Sequence, residues 1–161
     1  MRRHALVLVA LLVAACGQPR FSPPTPPSED AAAGLLHSVV DIVKSGDLDR
    51  LCSVGAGTCP KTLRDSDPRA VPQSEPVVVG TRVVPSSANA DGTWNVGGRV
   101  LELCGRDGLN RPYYSEMLVF EQDGRLIATQ PVYWTGIRIA VGSTVGGPAP
   151  TPPPCPEPSA G

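Results

Sequence analysis

The sequence predicts an α+β fold in which one or more N-terminal helices pack on a curved, mainly antiparallel sheet of four or more strands. Two patterns predict this class. Apolar residues follow helical spacing between Ser28 and Gly46, whereas the apolar segments after Val71 are short, rich in β-branched residues and bounded by Pro or Gly. A chain of 161 residues with these patterns holds a single small domain.

The first helix is predicted to begin at Ser28, whose hydroxyl suits the N-cap position and is followed by two acidic residues. Gly46 suits the left-handed position that ends a helix. Between them, one broad face is apolar and consists of Leu35, Leu36, Val39, Val40, Ile42 and Val43. Asp47 is expected to cap a short second helix through Leu51 and Cys52, and a third turn is expected at about 60–65.

Four strands are predicted after the helices. The first is Val77–Val84, which is β-branched and lies between two prolines. The second covers 93–104, where the pair Gly97 and Gly98 indicates a bulge or bend that lets a sheet curve. The third covers 113–121, and the fourth begins at Arg125.

The last two strands are predicted to form a hairpin, because Asp123 and Gly124 favour a two-residue type I′ turn. This register places Phe120 opposite Ile127, and further along it places Tyr114 opposite Tyr133 and Tyr113 opposite Trp134. Both faces of the hairpin are substantially apolar, so the second face is expected to meet a cavity, a partner subunit or the C-terminal segment. Pro131 cannot donate to the ladder, which favours a bulge or an edge position there.

The N-terminus carries an export signal. A basic start is followed by an apolar run over 5–15, which is too short to span a bilayer as a helix. The run ends in Val13-Ala14-Ala15-Cys16-Gly17, which resembles the lipobox of bacterial lipoproteins. The resemblance implies cleavage before Cys16, a diacylglyceryl group on its thiol, and a location at the extracytoplasmic face of the cell membrane. The alternative is an ordinary secretory signal with a chance cysteine.

Prolines mark the two flanks of the domain. Of the 19 prolines, five lie between Pro19 and Pro27 and seven between Pro148 and Pro158. The chain therefore divides into a signal peptide at 1–15, a lipidated cysteine with a Pro-rich tether at 16–27, a folded domain at 28–141 and a Pro-rich tail at 142–161. In an extended polyproline conformation, about eleven tether residues at ~3.1 Å each would hold the domain ~30 Å from the lipid. The alternative is a disordered segment of no selected length.

The chain has five cysteines, and four of them remain for disulfides once Cys16 is assigned to the lipid. The other four, in an oxidising compartment, allow three disulfide connectivities. The short loop between Cys52 and Cys59 favours that pair, which leaves Cys104 with Cys155. The alternative is that Cys155 is free or pairs between molecules.

The order of elements resembles the nuclear transport factor 2-like, cystatin-like cone fold over about 29–140. An amphipathic helix precedes the turn at 46–52, and bent strands ending in a long hairpin follow. In that family, helices cover one side of a strongly curved sheet and the cone can enclose a pocket. Some members are isomerases or cyclases, and many are non-catalytic binding or assembly modules.

Composition excludes several functions. Only 18% of residues are charged and the net charge is −1, which excludes an electrostatic nucleic-acid binder. The mature chain would keep His37 alone, the cysteines form no CxxC pair, and no P-loop, dinucleotide or GxSxG motif is present. We therefore expect no metal, no cofactor and no catalytic residue.

The predicted function is that of a lipid-anchored envelope module that binds an apolar ligand or a protein partner, with a homodimer left open. Tyr114 and Tyr133 are the residues predicted to line its pocket. The alternative is an envelope isomerase or cyclase that uses Asp41 or Glu116 as a carboxylate near a tyrosine, since burial raises carboxyl pKa values. Asp41 is otherwise expected to form a solvated pair with His37. A third hypothesis is a structural spacer.

Overall fold

The computed structural model describes residues 25–88, 90, 94–139 and 155–156. Within them lie three α-helices followed by six strands, which confirms the α+β class. The predicted signal peptide, Cys16, most of the tether and most of the tail lie outside the described residues. The bounds are α1 Glu29–Ser45, α2 Leu48–Leu51, α3 Cys59–Asp65, β1 Val77–Val84, β2 Ser87–Ala88, β3 Trp94–Asn95, β4 Gly98–Arg106, β5 Pro112–Gln122 and β6 Arg125–Ala128.

Helix α1 has the two ends that the sequence predicts. The Ser28 hydroxyl accepts the backbone N–H of Ala31 at 3.1 Å, and Gly46 ends the helix with a φ of 75°. The carbonyl of Pro27 accepts a hydrogen bond from Nε of Arg99 at 3.0 Å, and this bond fixes the start of the domain against the sheet. Asp47 then caps α2 as expected, because its carboxylate accepts the N–H of Arg50 at 3.2 Å.

Four strands form one antiparallel sheet in the order β1-β4-β5-β6, and β2 pairs with β3 in a separate ribbon. The segment predicted as the second strand therefore forms two strands, β3 and β4, which are separated at Gly97. Gly97 lies against the backbone of Val84 and Ser86 so closely that a Cβ would collide with both. The paired glycines thus mark a change of sheet as well as a bend.

The hairpin forms at the predicted turn, with φ of 53° at Asp123 and 72° at Gly124. Phe120 faces Ile127 as predicted. The same register continues to Val119 and Ala128, but the pairing predicted for Tyr133 and Trp134 is wrong, because β6 ends at Ala128 and residues 133–135 form a 3₁₀ turn. Pro131, which has no N–H, lies in the departing segment, so Tyr133 and Trp134 are not cross-strand partners of β5.

Residues 136–139, which we call the strap, return to the edge of β5 that β6 leaves open. The N–H of Glu116 donates to the carbonyl of Ile137 at 2.9 Å, and the N–H of Gly136 donates to the hydroxyl of Ser115 at 3.0 Å. Of the three expectations for the second face, contact with the C-terminal segment is the one that the described residues show.

The sheet has two faces of different character. The helix face packs against α1, α2 and α3 and buries most of the apolar core, including Leu36, Leu51, Leu101, Leu103, Met117 and Val119. The opposite side, which we call the far face, buries a small cluster of Val84, Val100 and Leu118, with Phe120 and Ile139 packed against it. The hydrophobic centre of the domain therefore lies between the helices and the sheet.

Each face carries one disulfide, and the pairs are those that the loop lengths favour. Cys52 is bonded to Cys59 beside the helix-face core. Cys104 is bonded to Cys155 and links the far side of β4 to the C-terminal tail.

Candidate functional site

A groove of about 540 Å³ lies at the end of the sheet where β4 and β5 are joined. Its walls come from three segments, namely 65–70 at and after the end of α3, 107–114 in the loop and start of β5, and 134–136 where the 3₁₀ turn meets the strap. The groove is open to solvent along its length. We call it the distal groove, because it lies at the opposite end of β4 from Arg99, which contacts the start of the domain.

Aromatic rings form the floor of the distal groove. Tyr113 and Trp134 line it, and Tyr133 lies beneath them with only 1% of its surface exposed. The Tyr133 ring is 6.1 Å from that of Tyr113 and meets Trp134 edge-to-face at 5.3 Å. Gly105 makes room for this arrangement, because a Cβ there would collide with the Tyr113 hydroxyl.

Two polar atoms of this floor have no hydrogen-bond partner among the described residues. They are the Tyr113 hydroxyl and Nε1 of Trp134, and both are buried. Leaving such a donor unpaired costs on the order of 1–3 kcal/mol. Burial raises the pKa of Tyr113, so its hydroxyl keeps its proton at neutral pH and remains a donor.

Asp107 holds one wall of the distal groove in place. Its carboxylate accepts the backbone N–H groups of Leu109 and Arg111, each at 2.9 Å, and Nε of Arg111 at 2.7 Å. Burial raises the pKa of Asp107, but these hydrogen bonds outweigh burial and lower it overall. The neighbouring Gly108 donates to the carbonyl of Ala70 at 3.0 Å, which ties this wall to the segment after α3.

The other two aspartates of the groove also have basic partners. Asp67 accepts two bonds from the Arg69 side chain at 3.1 and 2.9 Å, and this contact lowers its pKa to about 2. Asp65 accepts a hydrogen bond from Nζ of Lys61 at 2.7 Å, and this bond lowers the pKa of the Asp65 carboxyl. All three carboxylates are therefore ionised and paired at neutral pH.

A cluster of charged side chains lies on the far face beside the groove. Nη2 of Arg82 is 3.1 Å from Oε2 of Glu116, and Nε is 3.7 Å from Oε1 of Glu102. Glu116, only 4% exposed, also accepts the N–H of Ile139 at 2.7 Å and so fixes the end of the strap. Sequence reasoning missed this cluster, because its members come from β1, β4 and β5 and meet only through the register of three strands.

Tyr114 and Tyr133 were predicted to lie opposite each other, and in the structure they do not. Tyr114 lines the groove from the far side, where the Arg138 guanidinium lies 5.7 Å from its ring. Burial, followed by the nearby charges of Glu102 and Glu116, raises the pKa of Tyr114 to about 12. Tyr133 is instead part of the helix-face core. The aromatic pair that lines the groove is Tyr113 and Trp134, which the predicted register had set opposite each other.

The carboxylates considered for catalysis have different surroundings. Asp41 is exposed on α1, so it does not have the buried setting that a base of the isomerase type requires. Its expected contact with His37 is not formed, because Nδ1 of His37 lies 2.8 Å from Oε1 of Glu75. Glu116 is buried but is already engaged by Arg82 and the strap.

Comparison with family models, curated proteins and solved structures finds no significant match to this sequence. Among the helices of the described residues, none combines the length and the apolar character needed to cross a lipid bilayer.

Proposed function

We propose that the protein is a lipid-anchored lipoprotein at the extracytoplasmic face of a bacterial membrane, and that its domain is a non-catalytic module that binds a protein partner in the distal groove. The lipobox-like sequence ending at Cys16 supports the anchor, and the Pro-rich segment up to Pro27 supports a tether. The order of helices, turn and antiparallel strands supports a nuclear transport factor 2-like fold as part of this proposal.

The observation that carries the non-catalytic assignment is the state of the three groove carboxylates. A general acid or base that works near neutral pH needs a carboxyl pKa raised toward 7. The pKa values of Asp65, Asp67 and Asp107 are all lowered, because each accepts hydrogen bonds from a basic residue of its own chain. These groups stay ionised and stabilise the groove walls.

The shape of the groove favours a protein partner over an enclosed apolar ligand. Sites for small apolar ligands surround most of the ligand with apolar side chains. The distal groove is open, and its lining alternates aromatic rings with Asp67, Asp107 and Arg111. A peptide segment presents both apolar side chains and hydrogen-bonding groups, and so matches this mixed lining.

The proposal is tested by photo-crosslinking in intact cells, with p-benzoylphenylalanine in place of Tyr114. We expect an adduct with the mass of a discrete second protein. Ser66→Trp fills the groove from its rim and is expected to abolish the adduct, whereas Arg64→Trp adds the same ring to α3 outside the groove and is expected to leave it. Circular dichroism of both variants checks that the domain stays folded.

Each other outcome of this experiment contradicts the proposal. An adduct of small mass would replace the protein partner with an apolar ligand, and an adduct that survives Ser66→Trp would place the contact outside the groove. The anchor is tested separately by metabolic labelling with a radioactive fatty acid. The label should enter the wild-type chain and be lost in Cys16→Ser, and a label retained in that variant would contradict lipidation at this cysteine.

A further inference from the structure

Each of the three aspartates that line the distal groove is paired with a basic residue, and in every pair the basic side chain is the more exposed. The pairs are Lys61 with Asp65, Arg69 with Asp67 and Arg111 with Asp107. In that order, the basic side chains are 77%, 77% and 61% exposed, whereas their acidic partners are 53%, 33% and 6% exposed. A partner that approaches the groove therefore meets cations first, although the lining itself includes three carboxylates.

The two segments that carry these pairs also have a surplus of positive charge. Residues 61–70 and 106–111 contain five basic and three acidic residues, whereas the whole chain has a net charge of −1. Arg106 contributes to this surplus, since its hydrogen bond among the described residues is to the backbone carbonyl of Asn110 at 2.9 Å. A local surplus of this kind attracts acidic segments and disfavours basic ones.

Two of these arginines are held by their aspartates along one edge of the guanidinium. Arg69 contacts Asp67 through Nε and Nη2, and Arg111 contacts Asp107 through the same two atoms. Among the described residues, Nη1 of neither arginine has a partner. A planar guanidinium fixed along one edge can bind a second carboxylate along the other, and fixing it in advance reduces the entropy lost on binding.

The arginines lie at a defined spacing from the aromatic floor of the groove. Arg111 is two residues before Tyr113, and both line the groove. In an extended chain, side chains two residues apart point the same way and are separated by about 7 Å. An extended partner segment has the same spacing, so it can set one side chain on Arg111 and the next but one over Tyr113 and Trp134. Arg69 belongs to the neighbouring wall, which a backbone hydrogen bond joins to the loop before Arg111.

We propose that Arg69 and Arg111 bind an acidic side chain of the partner protein, and that this residue lies two positions along an extended segment from a large apolar residue. The apolar side chain covers the floor formed by Tyr113 and Trp134. The inference rests on the function proposed above and names the chemistry of the partner that the groove accepts.

The surface of this chain does not offer such a segment to a second copy. Five large apolar side chains are exposed among the described residues, and two of them, Val77 and Leu109, have an acidic residue two positions away. Both acids are engaged within the chain, because Glu75 contacts side chains of α1 and Asp107 contacts Arg111. Outside the described residues, neither of the two acidic residues in the sequence has a large apolar residue two positions away. A different protein is therefore the occupant.

Fluorine NMR of the full-length lipidated chain in detergent tests the proposal, with fluorotryptophan at both tryptophan positions. Trp134 lines the groove, whereas Trp94 lies in β3 outside its lining and serves as the internal control. The probe is the capped peptide Ser-Glu-Thr-Phe-Thr-Ser, which has no terminal carboxylate. We expect it to move the Trp134 signal and leave the Trp94 signal in place. Trp94→Phe assigns the two signals.

Two further peptides isolate the acidic group and its spacing. The peptide with Gln in place of Glu should bind about fivefold more weakly, because it lacks the charge that the exposed arginines attract. The difference should vanish at about 0.5 M salt, where exposed charges are screened. The peptide Ser-Glu-Phe-Thr-Thr-Ser sets the acid and the ring on opposite sides of an extended chain, and it should bind as weakly as the Gln peptide.

Matched variants separate the rim from the charge of the whole chain. Arg69→Gln and Arg111→Gln should each abolish the preference for Glu over Gln. Arg125→Gln removes an equal charge from an exposed position of β6 and should keep the preference. Circular dichroism checks that each variant is folded, and the exposed Arg69 keeps the test valid if Arg111→Gln disturbs its loop.

Three results would overturn the proposal. They are equal affinity for the Glu and Gln peptides in the wild-type chain, an equal loss of preference in Arg125→Gln, and movement of the Trp134 signal when the protein is concentrated without peptide, which would assign the groove to a second copy. The first two results leave the photo-crosslinked adduct at position 114 intact. They are therefore distinguishable from failure of the proposed function, in which that adduct with a second protein is absent.

Discussion

The two faces of the sheet are held by different kinds of interaction. The helix face buries a large cluster of aliphatic and aromatic side chains under α1, α2 and α3. Among the described residues, the apolar cluster of the far face is small and centres on Val84, Val100 and Leu118, and its cover, the strap, is fixed by hydrogen bonds to Ser115 and Glu116. The hydrophobic effect, which requires no particular orientation of the side chains, stabilises the helix face. A few hydrogen bonds between particular atoms stabilise the far face. The helix face should therefore tolerate changes of side-chain chemistry that keep volume, whereas the far face should depend on particular atoms.

The disulfides give the largest expected difference between the two faces. The Cys104–Cys155 bond closes a sequence separation of 51 residues, and the Cys52–Cys59 bond closes one of 7. In the chain-entropy model, losing the first costs about 4 kcal/mol and losing the second about 2 kcal/mol. We expect Cys104→Ser with Cys155→Ser to lower the free energy of unfolding more than Cys52→Ser with Cys59→Ser. Urea denaturation of the two double variants measures this. Equal losses would mean that the denatured chain does not gain freedom with loop length.

Truncation of one leucine on each face compares the two apolar clusters directly. Leu103 is fully buried against the helices, and Leu118 is 7% exposed in the small far-face cluster. We expect Leu103→Ala to lower the free energy of unfolding by about 3 kcal/mol and Leu118→Ala by about half as much, because fewer neighbours surround the second cavity. Urea denaturation with an unchanged m-value checks both. A larger loss at Leu118 would show that the far face is the true core.

The elements of the helix face could be predicted from the sequence because each depends on local signals. The apolar spacing of α1, its caps at Ser28 and Gly46 and the turn at Asp123 and Gly124 are read within a few residues of one another. The structure confirms all of them. The predicted continuation of β6 is wrong, because the effect of Pro131 on the hairpin outweighed the pattern of the residues after it.

The far face could be predicted only in part. The presence of apolar residues on both faces of the hairpin correctly indicated that something covers its second side, and the C-terminal segment was one of three candidates. The contact of Glu116 with Arg82 joins residues 34 positions apart, and it depends on which residues of β1, β4 and β5 share a face. A shift of one residue in either register would turn those side chains to the other side of the sheet, and a single sequence does not fix that register.

Glu116 tests whether the strap depends on one carboxylate. In Glu116→Leu, the N–H of Ile139 loses its acceptor and Arg82 loses its closer partner, so we expect the free energy of unfolding to fall by about 2 kcal/mol. Glu116→Gln keeps an acceptor oxygen for Ile139 and should lose about 1 kcal/mol. Glu121→Gln, which changes an exposed residue of the same strand, is the control and should have no effect. Equal exchange rates of the Ile139 amide in all three variants would contradict the role given to Glu116.

The three tyrosines of the chain give the finest comparison, because they lie on both faces and all have raised pKa values. Tyr114, on the far face, is expected to ionise first, at a pKa of about 12, because it is less buried than Tyr113 and Tyr133. In the denatured chain all three should ionise near pH 10. Above that pH the unfolded state therefore binds fewer protons than the folded state, and stability must fall as pH rises.

Absorbance of tyrosinate measures this order in the folded chain and in guanidinium. At pH 10 the folded chain should show little tyrosinate, and its first ionisation step should be absent in Tyr114→Phe but present in Tyr133→Phe. Circular dichroism at each pH separates titration of the folded state from unfolding. If all three tyrosines ionised near pH 10 while the chain stayed folded, the aromatic floor of the groove would be open to water. If Tyr114→Phe left the first step unchanged, the far face would be as well buried as the helix face, and the difference drawn between them would fail.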